Sequence, residues 1–194
     1  MENDVAERAG PEGVTASPAR SRRALLVSVA VALIVGVDQA TKSIAVARWT
    51  DAPLELVGKT IAFSVTRNSG SAFSRFQNLT PLLALGAIVV AIVLARAART
   101  ESDRITLCAL VLLLGGALGN LSDRFFRAPS FLHGSVVDFV KVGSFPVFNV
   151  ADSCVTVGAT LLIVRGLFPP HVDTTSESTD GRSNDTASDT ADEG

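Results

Sequence analysis

Four stretches of this chain are long and apolar enough to cross a lipid bilayer, and they limit its fold more than any other feature. A hydrocarbon core of ~30 Å takes about 20 helical residues. The first stretch runs from Ala24 to about Ala47, an apolar run followed by Asp38-Gln39-Ala40-Thr41-Lys42. The second is free of charge from Phe76 to Ala95 and the third from Ile105 to Ser122; the fourth extends from Asn149 to about Phe168, with Asp152 near its start and Arg165 near its end. The fold class expected is mainly α and integral to a membrane, with four transmembrane helices. An even number of spans places both termini on one side.

The distribution of charge supports this reading. The last 24 residues hold seven of the 19 acids, one base and nine Ser/Thr, and the first 20 hold four acids and two bases. Residues 21–170 keep 14 Lys/Arg and only eight Asp/Glu, too few carboxylates for a surface of that size facing water. An acidic soluble domain and a simple nucleic-acid binder are both excluded on that basis. Three units are expected: an N-terminal tail over residues 1–23, a membrane domain over 24–168, and an acidic Ser/Thr-rich tail over 169–194. Both tails are too polar to offset their ordering entropy and are expected to be disordered.

Positive loops stay on the cytoplasmic side. Arg20, Arg22 and Arg23 precede the first span, and Arg96, Arg99 and Arg104 fill the nine-residue connection between the second and third. The termini are therefore expected inside and the two long connections outside. A cleaved leader is the competing reading of the first span, since Arg22-Arg23, a 14-residue apolar run and Ala45-Val46-Ala47 follow that grammar. The Ala-Val-Ala triplet, however, lies behind Asp38 and Lys42, too far from the run. Cys108 and Cys154 fall inside spans and read as small packing residues.

Thr60 to Thr66 alternates, with Ile61, Phe63 and Val65 on one face, and Arg67-Asn68-Ser69-Gly70 supplies a turn, so a small external β-sheet cradle is expected. The second long connection offers Phe125, Phe126 and Phe131 for a short amphipathic external segment at the interface. Trp49 and Phe131 read as interfacial anchors.

Four carboxylates stand out. Asp38, Asp123, Asp138 and Asp152 all fall at the external end of a span or in the connection leading to one, so they gather at one depth. A carboxylate within a span costs ~2.5–3.5 kcal/mol at the bilayer centre and usually marks function. Asn120 and Asp123 share a helix face at i,i+3, as do Asn149, Asp152 and Thr156 at i,i+3,i+7. Gly115, Gly116 and Gly119 allow helices to approach closely. Two carboxyls held together share one proton, one acting as base and the other as acid, and so activate a water against a peptide carbonyl. Spacing alone does not choose the pair. Metal and Cys/His chemistry find little support with two histidines, His133 and His171, and no cofactor or metal is expected. A Ser135/His133/Asp138 triad is too local in sequence to reach the needed geometry.

Five blocks in order resemble one known family, the lipoprotein signal peptidases (signal peptidase II), bacterial integral-membrane aspartic proteases. They are Asp38-Gln39-Ala40-Thr41-Lys42, Asn68-Ser69-Gly70-Ser71-Ala72-Phe73, the run from Gly115 to Arg124, Val136-Val137-Asp138-Phe139, and Phe148-Asn149-Val150-Ala151-Asp152. The resemblance implies a catalytic dyad of Asp138 and Asp152. Asp38, Lys42, Asn68, Gly70, Asn120, Asp123, Arg124 and Asn149 are implied as supporting or substrate-binding positions. It also implies a monomer whose partners are membrane lipid and a diacylglyceryl-modified prolipoprotein, cut just before the lipidated Cys near the outer membrane surface, with no nucleic acid involved.

Plainer readings stand beside these. Asp38 and Lys42 make an i,i+4 ion pair; Asp123-Arg124 can cap and anchor a helix end; Asn68 with Gly70 can be only a turn; Asn120 and Asn149 can serve packing. Thr156 and Thr160 read as back-bonded to their own helix. The rival functions are a proton-coupled carrier, which needs ionisable groups through the full depth of the membrane, and a non-enzymatic assembly factor.

Overall fold

The computed structural model describes residues 18–58, 60–69 and 80–168. Its elements run α1 (Pro18–Trp49), β1 (Leu54–Val57), β2 (Ile61–Asn68), α2 (Thr80–Thr100), α3 (Arg104–Phe126), β3 (Val136–Val142) and α4 (Val150–Leu167). All four helices are long and apolar enough to span a membrane. The apolar side chains that water would disfavour point outward: Leu25, Leu82 and Ile163 are each more than 60% exposed. α1 is one unbroken helix from upstream of Ala24, and α2 continues beyond Ala95 through Arg96 and Arg99, cations placed where a helix C-terminus favours them.

α3 is the central helix, packed on α1, α2 and α4. Its glycines make the close approaches. A Cβ on Gly115 would stand 2.8 Å from Ile34 of α1, and one on Gly116 would stand 2.5 Å from the Ala151 carbonyl oxygen of α4. At the far end of the bundle Asp103 caps α3 by accepting from the Thr106 N–H at 2.8 Å, and Arg165 of α4 grips the same carboxylate through Nη2 at 2.7 Å and Nε at 3.0 Å. The Arg165 guanidinium, then the Thr106 N–H and hydroxyl, hold the Asp103 carboxyl well below the usual carboxylate range. This two-pronged contact ties the start of α3 to the end of α4.

The cradle is a three-stranded antiparallel sheet in the order β1-β2-β3. β2 forms where alternation places it, but Ala62 is its buried residue, whereas Ile61, Phe63 and Val65 are only half-buried. The Trp49 ring stacks on Phe63 at 4.4 Å between centroids and packs near Phe139 at 6.2 Å, so it joins α1 to the sheet and is not a free interfacial anchor. β3 comes from the second long connection, so the sheet draws on both connections, and Thr66 pairs with Asp138 across it. The aromatic segment before β3 forms turns, with Phe126 and Phe131 exposed and the Phe131 ring edge-on to Phe125 at 4.9 Å. After β3 the chain reverses through Gly143, whose φ of +54° suits a residue without a side chain. It then runs back along β3, Phe148 exchanging both main-chain bonds with Val140 at 2.8 and 3.0 Å. That return sets Asn149, the first residue before α4, beside Asp138.

Candidate active site

The four carboxylates singled out by position come together where α1, α3 and α4 meet the sheet. Lys42 is their hub. Fully buried, its Nζ lies 2.8 Å from Asp38 Oδ2 and 2.9 Å from Asp123 Oδ2, and donates to Asn120 Oδ1 at 2.9 Å. Charges this deep are tolerated only when each is paired and its remaining hydrogen-bonding capacity is used. Asp38 Oδ1 accepts the Ala151 N–H at 2.9 Å, which fixes the first turn of α4 to α1. Asp123 Oδ2 accepts the Val137 N–H at 3.1 Å, which fixes β3 to the end of α3. Asp38, Lys42 and Asp123 thus form a scaffold, and their charges are consumed in holding other elements.

Asp138 and Asp152 stand apart from that scaffold, and among the described residues no cation touches either carboxylate. Asp138 Oδ1 accepts from Asn149 Nδ2 at 2.7 Å and Oδ2 from Asn68 Nδ2 at 3.1 Å. Asp152 Oδ1 accepts from Asn120 Nδ2 at 2.8 Å and Oδ2 from the Asn149 N–H at 3.1 Å. Asn149 Oδ1 in turn accepts the Asp152 N–H at 2.9 Å, a reciprocal cap that starts α4 and fixes the Asp152 rotamer. Burial pushes the Asp138 carboxyl up to about 6; the Asp152 charge adds to this, and the hydrogen bonds from Asn68 and Asn149 oppose it. A carboxyl so placed holds a proton close to neutral pH, beside a second carboxylate oriented by a different set of donors. That asymmetry suits one acid and one base acting on the same water.

Of the other expected positions, Arg124 is half-buried, and its Nη1 is enclosed with no hydrogen-bond partner. Asp123 does not pair with it but with Lys42 and with Arg127 Nε, at 2.5 Å. Gly70 lies outside the described residues. Thr156 and Thr160 donate back to the main chain of α4 at 2.9 and 2.8 Å and contribute nothing to the site. His133 is exposed and its Nδ1 lies 3.0 Å from the Phe131 carbonyl oxygen, so the local triad is not assembled.

Two residues of the site escaped the sequence reading. Gln39 Nε2 donates to the Gly119 carbonyl at 3.0 Å and to Asp123 Oδ1 at 3.1 Å, and Arg127 closes the same carboxylate from the other side. Arg127 is i,i+4 from Asp123, a spacing that would have identified it.

A family model described as signal peptidase (SPase) II matches residues 30–168. A lipoprotein signal peptidase of Rhodococcus jostii is 44% identical over 167 residues, covering 86% of this chain and 82% of that protein. One from Mycobacterium tuberculosis is 42% identical over 170 residues, covering 87% and 84%. Among solved structures, a bacterial membrane enzyme determined by the in meso method at 1.9 Å superimposes with a TM-score of 0.65 at 28% identity, covering 75% of this chain and 94% of the other. A second, determined at 2.3 Å, gives 0.63 at 27% identity, with 81% and 94% covered.

Proposed function

The chain belongs to the signal peptidase II family, and from that premise we propose that it is an aspartic endopeptidase whose dyad is Asp138 and Asp152. It is a multi-pass bacterial membrane protease that removes signal peptides from prolipoproteins. The finer reading is that the prolipoprotein carries diacylglycerol on its Cys and is cut just before that residue, at the outer surface of the membrane. The chain works as a monomer with both polar tails in the cytoplasm. One observation carries the catalytic assignment: Asn149 bonds Asp138 with its side chain and Asp152 with its main chain, so a single residue holds both carboxylates.

In the proposed cycle one carboxylate takes a proton from water as the water oxygen attacks the scissile carbonyl carbon. The partner, protonated, donates to the carbonyl oxygen; the first carboxylate then passes the proton it took from water to the departing nitrogen, and the partner recovers its own as the carbonyl re-forms. The carbon–nitrogen bond breaks, leaving a carboxylate on the signal peptide and a free amine on the lipid-modified Cys. Burial favours the proton on Asp138. Arg124 Nη1, enclosed and unpartnered, is suited to receive a carbonyl of the substrate main chain. Asn68, at the end of β2, holds Asp138 from the open side.

The test uses purified full-length protein with a diacylglyceryl-modified preprotein and its unlipidated form. The lipidated form alone is cleaved. Asp138→Asn and Asp152→Asn each abolish cleavage while keeping the thermal unfolding transition, and a chelator leaves the rate unchanged. Normal turnover by either variant would remove that residue from the dyad.

A further inference from the structure

We propose that the long groove between α1, α2 and α3 is a binding site for an anionic phospholipid, with its headgroup at the end remote from the catalytic carboxylates. The groove encloses about 1600 Å³, more than the ~300–1,000 Å³ usual for a small-molecule site. Its walls are apolar, formed by Val27, Val31 and Val35 of α1, and Leu114, Leu118 and Leu121 of α3. One end is different: there the groove is lined by Arg23 and Arg99. Arg23 Nε and Nη2 are enclosed without a hydrogen-bond partner, and no carboxylate belongs to the described lining.

The two acids that follow Arg99 in sequence are already committed. Glu101 Oε1 accepts the Asp103 N–H at 2.7 Å, and Asp103 is taken by Arg165 and Thr106. The enclosed Arg23 donors thus find no partner among the described residues, and the exposed Arg99 adds a second positive charge at the same end; unpaired donors in such a place call for an anion. The channel calls for hydrocarbon. An amphiphile with a phosphate head and acyl chains satisfies both. The signal peptide itself does not: with its cleavage site at the carboxylate end, as in the function proposed above, its basic N-terminal region would meet the two arginines. Charge complementarity selects the anionic lipid.

Native mass spectrometry of the full chain, released from detergent containing equal phosphatidylglycerol and phosphatidylcholine, tests the proposal without reference to cleavage. Wild type should retain phosphatidylglycerol about twentyfold over phosphatidylcholine, and Arg23→Gln and Arg99→Gln should each lower that preference about fivefold. Gly36→Phe is the second handle. Gly36 lines the groove and nothing lies within 4 Å of its Cβ direction, so a ring fills the channel without displacing the main chain. It should release the lipid with the unfolding temperature unchanged. Equal retention of the two lipids, or a preference that survives all three substitutions, overturns the proposal. Dissociation of a dimer by Gly36→Phe with lipid retention intact assigns the groove to a second copy of the chain and overturns it as well.

Discussion

Asn149 donates its side-chain amide to Asp138 at 2.7 Å while its own N–H is bonded by Asp152 at 3.1 Å. One residue thus performs two separable tasks, capping α4 and spacing the carboxylates. Asn149→Ala loses both, and is expected to cost ~1 kcal/mol of stability and about 10²-fold in kcat. Asn149→Ser keeps a capping oxygen but removes the amide that donates to Asp138. It should recover the unfolding temperature and not the rate. Steady-state kinetics beside thermal unfolding separate the two effects.

The raised proton affinity of Asp138 has a stability consequence of definite sign. Its pKa is about 6 in the folded protein against 3.8 when unperturbed. The unfolded chain therefore sheds this proton at lower pH than the native one, and the site destabilises the fold increasingly as pH rises from about 4 to about 6. Asp138→Asn should abolish activity yet raise the unfolding temperature at pH 7, and this increment should shrink as pH falls through 6 and vanish near 4. In the active enzyme the same group places one limb of the kcat/KM profile near pH 6. Asn68→Ala, which removes a hydrogen bond to the charged form, should move that limb upward.

Lys42 neutralises two buried carboxylates at once. Lys42→Met should destabilise by about 3–5 kcal/mol, because Asp38 is left charged and buried with no cation, whereas Asp123 retains Arg127. Adding Asp38→Asn in the same chain should restore much of the loss. If the double variant is no more stable in detergent than the single, Lys42 acts through the Asn120 hydrogen bond and not through charge.

The helical frame was legible because twenty-residue apolar runs have no other soluble or membrane use, and the scarcity of carboxylates made each remaining one conspicuous. The Asp38–Lys42 pair is visible at i,i+4 and proves to be half of a larger cluster, since the third member, Asp123, comes from a helix 81 residues away. β3 was missed for a physical reason. Val136 to Phe139 are all buried, so the strand begins as a continuous apolar run broken by Asp138 and shows no alternation to read. Trp49 was misread because an aromatic at a span boundary has the same composition whether it meets lipid or a sheet; only the pairing with Phe63 decides. The partition of the four acids into a pair bound to Lys42 and a pair held by asparagines is likewise tertiary, set by which of them reaches Lys42.

The closeness of α3 and α4 carries a last prediction. A Cβ at Gly116 would stand 2.5 Å from the Ala151 carbonyl and 2.8 Å from Val155, main chain and a branched side chain that cannot swing aside. Gly116→Ala must therefore push α4 outward at the turn that carries Asn149 and Asp152, stretching the Ala151 N–H bond to Asp38 and the Asn120 bond to Asp152. A displacement near 1 Å at reacting groups costs on the order of 10²-fold. The expected result is a large fall in kcat with a smaller change in KM. Gly86→Ala in α2, where nothing stands within 4 Å, should leave the rate unchanged and gain up to ~1 kcal/mol from helix propensity. Equal rates for the two variants would mean that α4 can shift without disturbing the dyad, and the tight glycine contact would then serve packing alone.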